Sequence, residues 1–388
     1  MSRARSRFQR LVVGLGTAVA LVIAPLGSPA AGAAQDPLSQ PVGFVIGGDG
    51  RLYASSLGEP APVSSAVMAP PGAGLATFIE KDGRVSAFAI GTQGGLVMTA
   101  PAYTHPGYTI ALDGPSGLAP PGAPMSGVSV QGWAHIFFVG RSGTVYRATY
   151  RQPASPGGPG PQPWSKAGIA PPGAIIAAAV SPTSAPGAVF VGSNGGLYSI
   201  WQTNSDASET ILNSPLDVAQ PGGGVAALAT TAGVQTFFTG RDGRLWTARI
   251  AAGPLPDPWA PKAITAAGVV PSGAPLTAAQ LPNGALAVFF AGTDGAIRVA
   301  ATDLTGSWLE PFAVTPTGTA RPGAPLSLLV AGDHLYSGWC GNEVWWWWRW
   351  RWPGGPFPQP WQGEFAPIRV PTPELIRDGF NISLSLSP

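Results

Sequence analysis

Flat aromatic rings and guanidinium groups recur at matching places in this sequence, a pairing that can stack on and hydrogen-bond a ligand. Tyr146, Tyr198 and Trp246 each follow an apolar residue on the second arm of a repeated motif, and Arg147 and Arg249 lie close by. A later tryptophan recurs as Trp164, Trp259, Trp308 and Trp361. An aromatic face stacks on the C–H face of a pyranose while fixed donors select its hydroxyls. Tyr146, Tyr198, Trp246, Trp164, Trp259, Arg147 and Arg249 are therefore the candidate carbohydrate contacts, with Arg298 as a further donor. Rings of this size also fill the space between packed layers, because each buries a large area.

Groups that break bonds are scarce. The histidines are His105, His135 and His334, and none has a second His or a Cys at metal-ligating spacing. The lone Cys340 has no Lys or His beside it to lower its pKa and reads as a small buried residue. Glycoside hydrolysis normally needs two carboxyl groups converging on one pocket. Glu59, Glu80, Glu209, Glu310, Glu343, Glu364 and Glu374 are scattered, while Asp49, Asp242 and Asp294 precede glycines as turn formers. No Gly-x-Ser-x-Gly elbow or phosphate-binding loop occurs. The expectation is a protein that is not an enzyme, with no metal and no cofactor.

A scaffold that presents such side chains repeatedly must itself repeat. An apolar run, Gly-x-x-Gly and a second apolar pair recur with turns at residues 47, 91, 140, 192, 240, 292 and, in degenerate form, 338, at spacings of 44 to 52 residues. β-Branched and aromatic residues suit a pleated strand, and Gly with Asp, Asn or Ser suits a turn, so each copy reads as a β-hairpin. Runs such as Ile136-Phe137-Phe138-Val139 are apolar on both faces, which implies sheets stacked face to face. A Pro-Gly corner and another apolar stretch follow the first six hairpins, as at Pro71-Gly72 and Pro121-Gly122. The seventh such strand is expected at the end of the chain, where Phe380, Ile382, Leu384 and Leu386 alternate with polar residues. These repeats predict an all-β fold, a seven-bladed β-propeller of about four-stranded blades, closed by the C-terminal strand pairing into blade one. Closure removes the exposed edge that a solenoid, the competing architecture, would leave.

Blade seven carries an anomaly, the run from Trp345 to Trp352. As a strand it sets Trp346, Trp348, Trp350 and Trp352 on one face and Trp345, Trp347, Arg349 and Arg351 on the other. One face can pack on blade six. The other meets either arginine stacked on tryptophan within the blade or an external partner, so Trp346, Trp348, Trp350 and Trp352 form an expected interaction patch.

Arg3, Arg5, Arg7 and Arg10 precede an apolar run from Leu11 to Gly27, and Ala31-Gly32-Ala33 offers small residues for cleavage. The pattern predicts a secretory signal peptide over 1–33, a single propeller domain over 34–388, and export from the cell. Cleavage removes four of the 21 basic residues and none of the 19 acidic ones. The remaining surface lacks the Lys/Arg excess that neutralises phosphates, so nucleic acid is not an expected partner. No later segment has the length and apolarity of a membrane helix, and a single cysteine leaves stability to burial.

Val288-Phe289-Phe290-Ala291-Gly292-Thr293-Asp294-Gly295 and Phe237-Phe238-Thr239-Gly240-Arg241-Asp242-Gly243-Arg244-Leu245-Trp246 resemble the repeats of bacterial PLL-like lectins. Those are seven-bladed propellers related to fucose-binding lectins, and the resemblance spans nearly all of the chain after residue 33. It implies sugar pockets between neighbouring blades, walled by aromatics such as Tyr146, Tyr198, Trp246, Trp164 and Trp259. Val97 and Arg298 replace the aromatic in two blades. The expected function is that of a secreted lectin-like protein whose partners are glycans or cell-envelope polysaccharide. A protein-binding scaffold of the envelope is the alternative, and a sialidase-like glycosidase the third, although the Ser-x-Asp-x-Gly-x-Thr-Trp turn of sialidases is not met. N-terminal sequencing of the chain recovered from culture medium is expected to begin near Ala34; a chain that keeps Met1 and stays in the cells would overturn export.

Overall fold

The computed structural model describes residues 13–15, 41–55, 61–79, 85–101, 108–151, 159–203, 208–230, 233–250, 261–281, 283–303, 305–331, 334–341, 344–351, 370–371 and 382–386. Among the described residues there are strands and no helix. They form seven antiparallel sheets.

The third sheet is typical: Met125–Val130, Trp133–Val139, Val145–Arg151 and Gln162–Pro163 lie in chain order. The fourth runs Ile176–Val180, Pro186–Val191, Leu197–Gln202 and Ser208–Leu212. The fifth runs Val225–Thr230, Gly233–Thr239, Leu245–Ile250 and Lys262–Ala263, and the sixth Thr277–Gln280, Leu286–Ala291, Ile297–Ala301 and Phe312–Ala313. In each, the Gly-x-x-Gly turn joins the second strand to the third. In the first sheet Ile382–Leu386 supplies the strand beside Pro41–Ile46, in register from Pro41↔Leu386 to Val45↔Ile382. In the second, Val13–Leu15 from the N-terminal apolar run adds a fifth strand beside Leu75–Ile79.

First strands of successive sheets lie side by side. Leu75–Ile79 neighbours Met125–Val130, and the series continues through Ile176–Val180, Val225–Thr230, Thr277–Gln280 and Leu326–Ala331. Ile382–Leu386 touches both Leu326–Ala331 and Leu75–Ile79. Each sheet therefore buries two faces, which is why its strands are not simply alternating. Phe137 packs with Ile176, Phe190 and Ile200 of the fourth sheet, while its neighbour Phe138 packs with Phe88 and Met98 of the second. Both are fully buried, as are Phe237, Phe238, Phe289 and Phe290, each contributing roughly 1.5–3 kcal/mol.

The turns are tied to the chain that leads into the next sheet. At Gly94 and Gly143, the second glycines of their motifs, φ is +73° and +72°, and a Cβ would lie 2.3 Å from the carbonyl oxygens of Ala119 and Ala170. The Ala119 N–H donates in return to the Gly94 carbonyl at 2.9 Å. Corners bond to corners as well: Gly74 N–H donates to Gly122 O at 3.3 Å, Ile175 to Gly222 at 3.2 Å and Gly224 to Gly273 at 3.0 Å. A hydroxyl repeat completes the frame, with the Oγ of Ser64, Ser165 and Ser214 and the Oγ1 of Thr265 and Thr315 accepting from the N–H of Leu52, Val145, Leu197, Leu245 and Ile297.

Gly143→Ala is expected to cost about 3 kcal/mol or more, because strain at positive φ adds to a collision with backbone. Gly168→Ala shares the positive φ, +74°, but meets nothing within 4 Å, and is expected to cost only about 1 kcal/mol. Urea denaturation of the two variants checks the contrast, and equal losses would refute the close-approach account.

Candidate functional site

Strand alternation sorts the sugar-contact candidates onto opposite faces. On the third sheet Tyr146 packs toward the second sheet, whereas Arg147 reaches the fourth and donates to Gln202 Oε1 at 2.9 Å. On the fifth sheet Trp246 packs toward the fourth, and Arg249 lines a space shared with the sixth. The seam between sheets three and four gathers Arg147, Trp164 and Tyr198. Trp259 and Trp352 lie outside the described residues. Trp346, Trp348 and Trp350 lie on the strand Val344–Arg351, paired with Trp339, Ser337 and Leu335.

Tyr146, Tyr198 and Trp246 share a structural task. Each ring stacks near-parallel on a phenylalanine of the second strand, Phe138, Phe190 or Phe238. Each also covers the first glycine of its turn, where a Cβ would come within 2.5 Å of the ring. Tyr198 Oη accepts from Asn194 Nδ2 at 2.8 Å, four residues back. The same reach joins Tyr53 Oη to Asp49 at 2.8 Å and Arg298 to Asp294 at 2.7 Å. Burial and the Asp49 carboxylate push the Tyr53 phenol up to about 12. Arg298 thus replaces an aromatic by spanning the same turn, its guanidinium holding the Asp294 carboxyl below the usual range.

At the seam of sheets three and four, Trp164 is 7% exposed and tilts on Phe137 with centroids 5.1 Å apart. The Arg147 guanidinium lies 4.5 Å from the indole centroid. Trp164 follows the outermost strand of its sheet, while Trp308 precedes the outermost strand of the sixth, so the two are not equivalent positions. They stand 24 and 16 residues after the first glycine of their motifs, a spacing difference visible in the sequence.

Trp308 identifies the better-formed site. A pocket of about 410 Å³ opens between sheets five and six, at the end away from the Gly240 turn. Gln235 and Arg249 face it from the fifth sheet, and Asn283, Asp303, Thr305 and Trp308 from the sixth. The half-buried indole of Trp308 meets Phe237 edge to face at 5.5 Å. Asp303 is bound into its own loop, where Oδ1 accepts from Thr305 N–H at 2.8 Å, Thr305 Oγ1 at 2.6 Å and Ser307 N–H at 2.9 Å. These bonds hold its carboxyl below the ordinary range. Asn283 Oδ1 accepts from Ala285 N–H at 3.1 Å, and its buried Nδ2 has no partner.

Phe137 and Phe237 each stand three residues before their turn, yet one is capped by an indole of its own sheet and the other by an indole of the next. Thr247 takes the place of Arg147.

No protein-family model and no curated protein matches the sequence. Solved structures do. The BP39L lectin from Burkholderia pseudomallei aligns with a TM-score of 0.73 at 21% identity, over 93% of this chain and 99% of that one. AofleA from Arthrobotrys oligospora gives 0.52 at 12% identity, over 72% of this chain and 83% of its own. The SapL1 lectin, solved with alpha methyl fucoside, gives 0.50 at 14%, over 73% and 94%. At these identities the likeness is one of fold, and with the adjoining antiparallel sheets it identifies a β-propeller.

His135 sits at the seam of sheets three and four, 8% exposed, with Nδ1 3.4 Å from Thr149 Oγ1. Burial, reinforced by the Arg147 charge, pulls its pKa down to about 4. An unfolded histidine takes its proton near 6.5, so the neutral ring's contribution is complete above that pH and lost as pH falls toward 4. Wild type is expected to lose roughly 3 kcal/mol between pH 7 and 4 relative to His135→Gln. Parallel urea titrations of the two proteins read this difference, and parallel pH profiles would remove His135 as its source.

Proposed function

We propose that the chain is an exported, non-catalytic glycan-binding propeller of seven blades, its ring closed by Ile382–Leu386, that holds sugars between blades. The pocket between sheets five and six carries this reading. It joins a half-buried indole face to a guanidinium and side-chain amides at a seam open to solvent, the pairing of apolar surface with a few convergent polar groups that a pyranose requires. The likeness in fold to two lectins supports it, as does the strand Ile382–Leu386 lying between the first strands of the second and seventh sheets. A hydrolase would bring two carboxyl groups together, whereas the pocket lining holds one, Asp303. The basic and apolar N-terminal segment supports export, and its partners would be glycans or cell-envelope polysaccharide.

A glycan-array screen followed by calorimetry tests the assignment. Arg249→Ala and Trp308→Ala are each expected to weaken binding at least tenfold, about 1.4 kcal/mol, with the melting transition retained. Tyr198→Ala and Trp246→Ala are expected to lower the melting temperature and leave affinity within about threefold. A folded protein that retains no glycan would move the assignment to a protein-binding scaffold.

A further inference from the structure

Two polar groups of the pocket between sheets five and six, the amide of Asn283 and the guanidinium of Arg249, bear on which sugar it takes. Asn283 stands on a tight turn closed by bonds from Leu281 N–H to Ala285 O and from Gly284 N–H to Leu281 O, both 2.8 Å. Its Oδ1 is fixed by Ala285 N–H. Turning the amide over would set Nδ2 against that N–H, donor against donor, so the orientation is determined by the network. Nδ2 therefore faces away from the turn, buried and without a partner. A buried donor of this kind costs free energy that an acceptor on a ligand would recover.

The other groups sharpen the requirement. Arg249 has only donors to offer. Gln235 Nε2 is already directed to Thr247 Oγ1 and to the Ala248 carbonyl. Asp303, the acidic group of the lining, spends Oδ1 on its own loop and stands where water screens its charge. A hydroxyl presented to a donor-only pair must turn its own hydrogen elsewhere. A carboxylate brings acceptors alone, and a guanidinium matches its geometry and charge.

Resting on the glycan-binding reading, we propose that this pocket selects an acidic sugar, a hexuronic acid residue, whose carboxylate accepts from Asn283 Nδ2 and Arg249 while the ring lies against Trp308. The chemistry is the same for a free uronide and for a uronic acid within a polysaccharide chain.

Calorimetry on the full exported chain, using methyl glucuronide and methyl galacturonide beside their methyl esters and the corresponding methyl glucoside and galactoside, reads the selectivity. At least one uronide is expected to bind tenfold or more tighter than its ester and its neutral counterpart, with affinity falling as salt rises. Asn283→Asp keeps the acceptor that the turn needs and replaces the donor by an oxygen, so it is expected to reduce the preference below threefold with the melting transition intact. Arg249→Gln is expected to do the same. Neutral sugars or esters bound as tightly as uronides would overturn the acidic selectivity and leave the glycan reading standing. Failure of both uronides to bind, with a neutral glycan retained on the array, would do likewise. Loss of every glycan would overturn both.

Discussion

A backbone carbonyl passing directly beneath a turn glycine is the contact on which the remaining structure is built. The second glycine of each of the first six Gly-x-x-Gly motifs bends the hairpin with a positive φ, and it leaves out the one atom that would strike the incoming chain. Only then can the segment ahead of the next sheet return close enough to bond to the turn it has just left. The Pro-Gly corner that follows is placed by this return, and its bonds to the neighbouring corner set each sheet against the next. Side chains then fill a gap whose width the backbone has already decided.

That gap explains why the strands carry adjacent phenylalanines. Phe137 and Phe138, or Phe237 and Phe238, point to opposite faces and serve two different seams. Three repeats keep a Phe-Phe pair here and the others carry Phe44-Val45, Phe88-Ala89, Val189-Phe190 and Leu335-Tyr336, while the outer parts of each sheet vary more. Variation there decides whether a seam is filled, as with Arg147 and Trp164, or opens into a pocket, as beside Trp308.

The repeat, its hairpins and the strand at the end of the chain were legible in the sequence because glycine and apolar runs obey local rules. The candidate site was less so. Tyr146 and Arg147 are neighbours in the chain but face different sheets, and only the strand register shows which residues share a seam. The aromatic position after the turn looked like a binding wall, yet its rings lie over glycines and reach back four residues, a pattern already present in Asn194 and Tyr198 or Asp294 and Arg298. Trp308 was visible as a tryptophan but not as the cap of Phe237, since that role depends on a neighbouring sheet. The repeated Ser or Thr after the outer strand was equally readable, and its meaning emerged only when the hydroxyl was seen to accept from a strand N–H.

The pocket between sheets five and six is not enclosed by one repeat: Thr230, Gln235 and Arg249 come from the fifth and the remaining lining from the sixth. Its occupant would act as a clasp across a seam, resisting any slippage of the two sheets past each other. A molecule assembled from repeats is weakest where repeats meet, and the pocket lies at such a joint. Occupancy would therefore be felt as stiffness, slowing amide exchange along both flanking strands rather than in one sheet alone.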